Sequence, residues 1–136
     1  MAINMLAVLV CAVLSVVIGS IWYGPLFGKF WMRINGFTTM DEARKKELMK
    51  EMIPTYIIQM ILSIVQVLVL ACFIIEMPQT HAALIGLLVW IGFALPSVAG
   101  LALWNGKSIK DRITLTAVSS GYHLVSIIIF SLILAA

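Results

Sequence analysis

His123 is the one side chain deep inside an apolar run that can both give and take a proton near neutral pH, apart from weakly acidic Tyr122 and the cysteines. It does not stand alone. At about 100° per residue, Thr116, Ser119, His123 and Ser126 fall on one helical face. Thr55, Gln59, Ser63 and Gln66 make a second polar face, and Asn4, Cys11, Ser15, Gly19 and Trp22 a third. Such groups can hold a polar ligand or tie helices together through Ser, Thr and Gln hydrogen bonds. The candidate pocket is Gln59, Gln66, Ser119 and His123. In the purely structural alternative, His123 donates one ring proton to Gln59 or Gln66; on a wet path it relays protons. No acid or nucleophile accompanies it, so the pattern does not read as an enzyme and no catalytic residue is expected. His81 belongs to the opposite end, and neither His-x-x-x-His nor an acid cluster occurs. No metal site and no cofactor is expected.

These faces need elements to carry them. Of 136 residues, 62% are hydrophobic and only 11% charged, far from the balance of a soluble domain of this size. One small core cannot hide so much apolar surface, whereas a bilayer can. A spanning helix takes about 20 apolar residues to cross roughly 30 Å of hydrocarbon. Four segments qualify: 2–23, 54–75, 81–103 and 112–134, none with a charged residue in its interior. Barrel strands would alternate in polarity, and these runs do not. The expected fold is all-α, a single transmembrane domain over 1–136 built as a four-helix bundle. The first segment lacks the basic start and small-residue cleavage site of a secretory signal, so it reads as a retained helix. Cys11 and Cys72 read as buried small apolar residues.

The net charge of +3 is concentrated in position. Every Lys and Arg lies either in 29–50 or in 107–112, while the termini and the Glu76–Thr80 turn carry none. By the positive-inside rule the connector 24–53 is cytoplasmic and both termini are extracytoplasmic, in a bacterial cytoplasmic (inner) membrane. Nucleic acid is not an expected partner; the lipid bilayer is. Within the connector, Thr39-Met40-Asp41-Glu42 has the form of a capping box, predicting a short charged helix over 39–52. Asp41–Lys45 and Glu42–Lys46 are its expected i,i+4 pairs. Asn105-Gly106 is a stop signal and Ser108-Ile109-Lys110-Asp111 a start signal for the last helix.

The stretch "WYGPLFGKFW", Trp22 to Trp31, closes the first segment. Trp and Tyr favour the membrane boundary, and Gly24-Pro25 should end the helix there. An interfacial anchor accounts for most of it. Its compactness also fits a re-entrant segment closing the cytoplasmic mouth, with Trp22, Tyr23, Pro25, Gly28 and Trp31 as gate or interface residues. Trp22-Tyr23-Gly24 and Trp104-Asn105-Gly106 form a faint echo that duplicated hairpins would produce.

"WYGPLFGKFW", "LLVWIGFALP" (87–96) and "GYHLVS" (121–126), in that order, resemble the domain-of-unknown-function 1761 family of bacterial membrane proteins. The resemblance implies a four-helix membrane protein and brings no activity with it. Small multidrug transporters are also short and four-helical, but they depend on a glutamate embedded in the first helix, which is absent here. Two readings of function follow. The first is binding or transport of a small molecule in a polar pocket. The second is a non-catalytic accessory protein that binds a partner through the charged connector. Gly92, Pro96 and Gly100 form a smooth strip suited to a second copy, so a homo-oligomer, a dimer, is expected.

Overall fold

The structure, a computed structural model, describes residues 2–136. The chain is 85% helical, with no strand among the described residues. In order come α1 (Met5–Ile21), a π-turn (Trp22–Leu26), α2 (Gly28–Ile34), a 3-10 turn (Phe37–Thr39), α3 (Glu42–Glu51) and α4 (Ile53–Glu76). They are followed by α5 (Ala82–Val89), a second π-turn (Trp90–Ala94), α6 (Leu95–Leu103) and α7 (Ile109–Ala135). Four continuous helical stretches are long and apolar enough to cross a membrane: Met5–Leu26, Glu42–Glu76, Ala82–Leu103 and Ile109–Ala135.

Local signals explain most boundaries. Asn4 caps α1, its side-chain oxygen accepting from Leu6 N and Ala7 N at 3.1 and 3.2 Å. Pro54 sits in the first turn of α4, where its missing N–H costs no helical bond. Gly106 turns the chain with φ of 78°, and the Ser108 hydroxyl accepts from Asp111 N to start α7. Asp111 then lies in the first turn, where a negative charge suits the helix dipole.

Two boundaries differ from the sequence reading. Asp41, not Thr39, caps the connector helix, accepting from Arg44 N at 2.7 Å. Thr39 Oγ1 donates to the Gly36 carbonyl instead, because the Phe37–Thr39 turn places it one step too early. The charge pairs of α3 accordingly run at other spacings, Arg44 to Glu47 and Lys45 to Glu42. Gly24-Pro25 does not end the first helix either. The chain widens into a π-turn, with Phe27 N–H reaching the Trp22 carbonyl at 2.9 Å, five residues back. A wider turn relieves the clash between the Pro25 ring and the carbonyl four residues before it.

The second π-turn repeats this arrangement. Trp90-Ile91-Gly92 opens it and Pro96 follows in the first turn of α6, as Trp22-Tyr23-Gly24 precedes Pro25. The echo of the first exit is therefore Trp90, inside the third span. Trp104 is 90% exposed and takes no comparable part.

α7 is the central helix. It packs against α1, α4, α5 and α6, and in its most apolar 18-residue stretch 33% of residues are buried, against 17–22% in the corresponding stretches of the other spans. At α5, Gly86 lets the helices meet closely: a Cβ there would lie 2.5 Å from Ser131 Oγ and 3.3 Å from the Ile127 carbonyl. The apolar core (Val8, Cys11, Val67, Leu70, Ile127 and Phe130) fills the half nearest the termini, which meet beside the 77–80 turn. Cys72, expected to be buried, faces outward from α4. The half nearest the connector is less filled.

Candidate functional site

The polar faces of α1 and α4 meet at Ser15, where α7 joins them through Tyr122. Its hydroxyl lies 2.6 Å from the Ala12 carbonyl and 3.1 Å from Ser63 Oγ. Ser63 donates its own proton to the Gln59 carbonyl at 2.9 Å, so towards Ser15 it can only accept. From α7, the Tyr122 hydroxyl donates to the Ser15 carbonyl at 2.9 Å. Ser15 and Ser63 are buried, and the single Ser15 proton is shared between the Ala12 carbonyl of its own helix and Ser63 Oγ across the helix contact. These bonds pin the three helices together at one level.

On the connector side of that level a cleft of about 540 Å³ opens between α1, α4 and α7. Ser15 and Gly19 lie at its inner end, and a Cβ at Gly19 would stand in ordinary contact with the Tyr122 ring, at 3.6 Å. Tyr23, Tyr56 and Tyr122 form aromatic walls, with Trp31 of α2 joining them from the connector. The Tyr23 and Tyr122 rings are 5.6 Å apart and tilted, and His123 stands edge-on to Tyr122 at 5.1 Å. Thr55 and Gln59, one turn apart on α4, face the same space. No Asp, Glu, Lys or Arg lines it.

The hydrogen-bonding state of these groups sets the cleft apart. Thr114 and Thr116 donate to carbonyls of their own helix, at 2.8 and 2.9 Å. The Thr55 hydroxyl, the Gln59 amide and the His123 ring have no such partner among the described residues; the Gln59 backbone alone is engaged, by Ser63. The expected bond from His123 to Gln59 or Gln66 is therefore not formed. Ser126, on the same face of α7, is buried and its hydroxyl is likewise without a partner among the described residues.

The four candidate pocket residues do not share one space. Gln59 and His123 line the cleft together. Gln66 lines a separate groove of about 470 Å³ among Val69, Phe73, Phe93 and Ile127, because two turns of α4 carry it past the Ser15–Ser63 tie. Ser119 stands at the Tyr23 side chain and is not part of the cleft lining. His81 serves as the cap of α5, its Nδ1 accepting from Ala83 N.

The gate residues divide by role. Tyr23 and Trp31 are walls of the cleft. Trp22 turns the other way, its Nε1–H donating to the Val118 carbonyl at 2.8 Å, with its ring against Gly121. It is thus a tie between helices rather than an anchor at the rim. Pro25 shapes the π-turn. Gly28 is buried where α2 folds back; a Cβ there would meet the Tyr23 carbonyl at 2.9 Å. Trp31 rests on Phe37, ring centroids 5.1 Å apart. Arg33 on α2 then grips Asp111 with both guanidinium nitrogens, at 3.0 and 3.4 Å. The hydrogen bond and the charge of Asp111 hold that guanidinium even above its ordinary range.

Sequence patterns did not point to the Arg33–Asp111 pair, 78 residues apart, or to the Trp90 indole, which donates to the Ser120 carbonyl at 2.8 Å. The only available signal was the shared Trp-x-Gly with a nearby proline.

The fold and site define a small all-α protein with four helices suited to crossing a membrane and an aromatic, uncharged cleft among three of them. The family described as "Protein of unknown function (DUF1761)" matches residues 6–135, and the chain belongs to it. No curated protein and no solved structure matches the chain.

Proposed function

We propose that this chain is a multi-pass protein of a bacterial cytoplasmic membrane that binds, or passes across the membrane, a small molecule held in the cleft between α1, α4 and α7. The observation that carries the reading is the convergence of three uncommitted polar side chains, Thr55, Gln59 and His123, on one uncharged cleft. His123 is partly buried and Thr55 and Gln59 are exposed along the cleft, so all three are free to bond a molecule or water that enters it. The cleft volume of about 540 Å³ is within the range of small-molecule sites.

The proposed orientation puts the connector and the 107–112 turn in the cytoplasm and both termini outside, on the strength of where the basic residues lie. In a variant freed of Cys11 and Cys72, a cysteine at position 45 should resist an impermeant thiol reagent added outside, and one appended at the C-terminus should react. The opposite pattern overturns the orientation. A dimer through the 92–100 strip is part of the proposal. Its support is that a Cβ at Gly92 or Gly100 would meet nothing within 4 Å, so neither glycine is consumed by internal packing. The partner-binding alternative rests on α3, whose charges are largely spent on one another, and it takes second place.

The binding reading is tested by extracting small molecules from protein purified in mild detergent. A species retained by the natural chain and lost from Gln59→Leu and His123→Leu is expected. Natural protein that carries nothing and binds nothing on reconstitution counts against it.

A further inference from the structure

The cleft also restricts the chemistry of its occupant, and this inference rests on the reading that it binds a molecule at all. Because its lining carries no formal charge, a phosphate, carboxylate or ammonium head would enter without a counter-charge. Arg33, two residues beyond the cleft residue Trp31, is already engaged by Asp111. Aromatic walls can attract a cation. Here, however, the uncommitted groups of the lining include a Gln amide, a Thr hydroxyl and an imidazole, all of which bring N–H or O–H donors that a cation cannot satisfy.

Donors on two facing helices instead suit carbonyl oxygens, and the rings of Tyr23, Trp31, Tyr56 and Tyr122 suit a flat, unsaturated head between them. Tyr56 both lines the cleft and is 57% exposed, so the cleft opens at Tyr56 towards the surface proposed to meet lipid. We propose that the occupant is a neutral, planar, carbonyl-bearing amphiphile drawn from the bilayer, the chemical class of the membrane quinones. The head lies among Gln59, Thr55 and His123, and the apolar tail leaves past Tyr56. The proposal concerns binding alone and requires no electron transfer.

The test uses the whole chain in lipid nanodiscs, titrated separately with decyl-ubiquinone, tetraphenylphosphonium and decanoate and read by tryptophan fluorescence, since Trp31 lines the cleft. Decyl-ubiquinone should give a saturable component that Trp31→Phe removes. Gln59→Leu and His123→Leu should each weaken it about tenfold, the scale of one lost buried hydrogen bond. His123→Asn, which keeps a donor, should lose less, and Gln66→Leu, in the separate groove, should lose nothing. Gln59 and Thr55 are exposed on α4, so Gln59→Leu and Thr55→Val keep the test open if a His123 variant misfolds. Saturable binding of the cation or the fatty acid without the quinone overturns the ligand class and leaves the binding site standing. Quinone binding indifferent to all cleft variants is partition into lipid and overturns the class as well. If no probe saturates, the ligand class falls, and the extraction of small molecules from the purified chain decides separately whether the cleft binds a molecule at all.

Discussion

Trp22 and Val118, 96 residues apart, are joined by a 2.8 Å hydrogen bond from the indole N–H to a main-chain carbonyl in the middle of α7. Trp90 makes the same bond two residues further along, to the Ser120 carbonyl, also at 2.8 Å. Both tryptophans open π-turns. The carbonyls of α7 are already spoken for within the helix, so each indole takes the second lone pair. The two irregular turns are thereby docked on the one regular, central helix.

Trp22→Phe and Trp90→Phe should each destabilise the protein by about 1–2 kcal/mol, combining a lost interhelical hydrogen bond with lost ring area. Because the two bonds are made to different carbonyls from different helices, the double variant should cost close to the sum. Unfolding in a denaturing detergent titration measures this; a cost below about 0.3 kcal/mol for either would deny the bond a role.

At Gly86, α5 lies close against α7. Gly86→Ala places a methyl against Ser131 Oγ and the Ile127 carbonyl, and α7 cannot retreat without loosening its other contacts. A cost of about 1–3 kcal/mol is expected, as for other overpacked sites. Ser131→Gly in the same chain should recover part of it, since the hydroxyl at 2.5 Å is the nearer obstacle. Gly100→Ala, where a Cβ meets nothing within 4 Å, should be nearly silent for the monomer.

The Arg33–Asp111 pair holds α2, and with it Trp31, against the start of α7. The Arg33 side chain is 56% exposed, so the pair should add little to global stability. Its effect should be local. Asp111→Ala should speed amide exchange across 28–34 and leave the unfolding midpoint almost unchanged, and the charge-exchanged pair Arg33→Asp with Asp111→Arg should slow exchange again. Exchange over 28–34 that ignores all three variants rules out a latch.

The helices were legible because each is written in a run of some twenty apolar residues. Ser108 acts only on a neighbour three residues away, which a linear reading can see, whereas Asn4, read as part of a polar face, caps α1 instead. The polar faces were legible as faces too, and Ser15 meeting Ser63 follows from their period. What periodicity cannot carry is the height at which two helices cross. Gln66 shares a stripe with Gln59 yet falls in another groove, because the serine tie lies between them. The turn at Pro25 escapes a linear reading for a related reason: a proline ends an α-helix locally, but a π-turn held by a tryptophan from across the bundle can absorb it.

The bonds around Ser15 make a sharper prediction, because two of its neighbours use different atoms of it. Ser63 Oγ faces the Ser15 hydroxyl, whereas the Tyr122 hydroxyl donates to the Ser15 main-chain carbonyl. Ser15→Ala removes the first interaction and leaves the second untouched. Ser15→Ala and Ser63→Ala should therefore be coupled, with an interaction energy near the average for such bonds in membranes, about 0.6 kcal/mol. Ser15→Ala and Tyr122→Phe should be additive within about 0.3 kcal/mol, although the residues touch. The two cycles share one variant, so a general loosening of α1 would appear in both and could not imitate the contrast. Coupling of equal size in the two cycles would mean that Tyr122 reads the Ser15 side chain, and the arrangement of the three helices at this level would have to be redrawn.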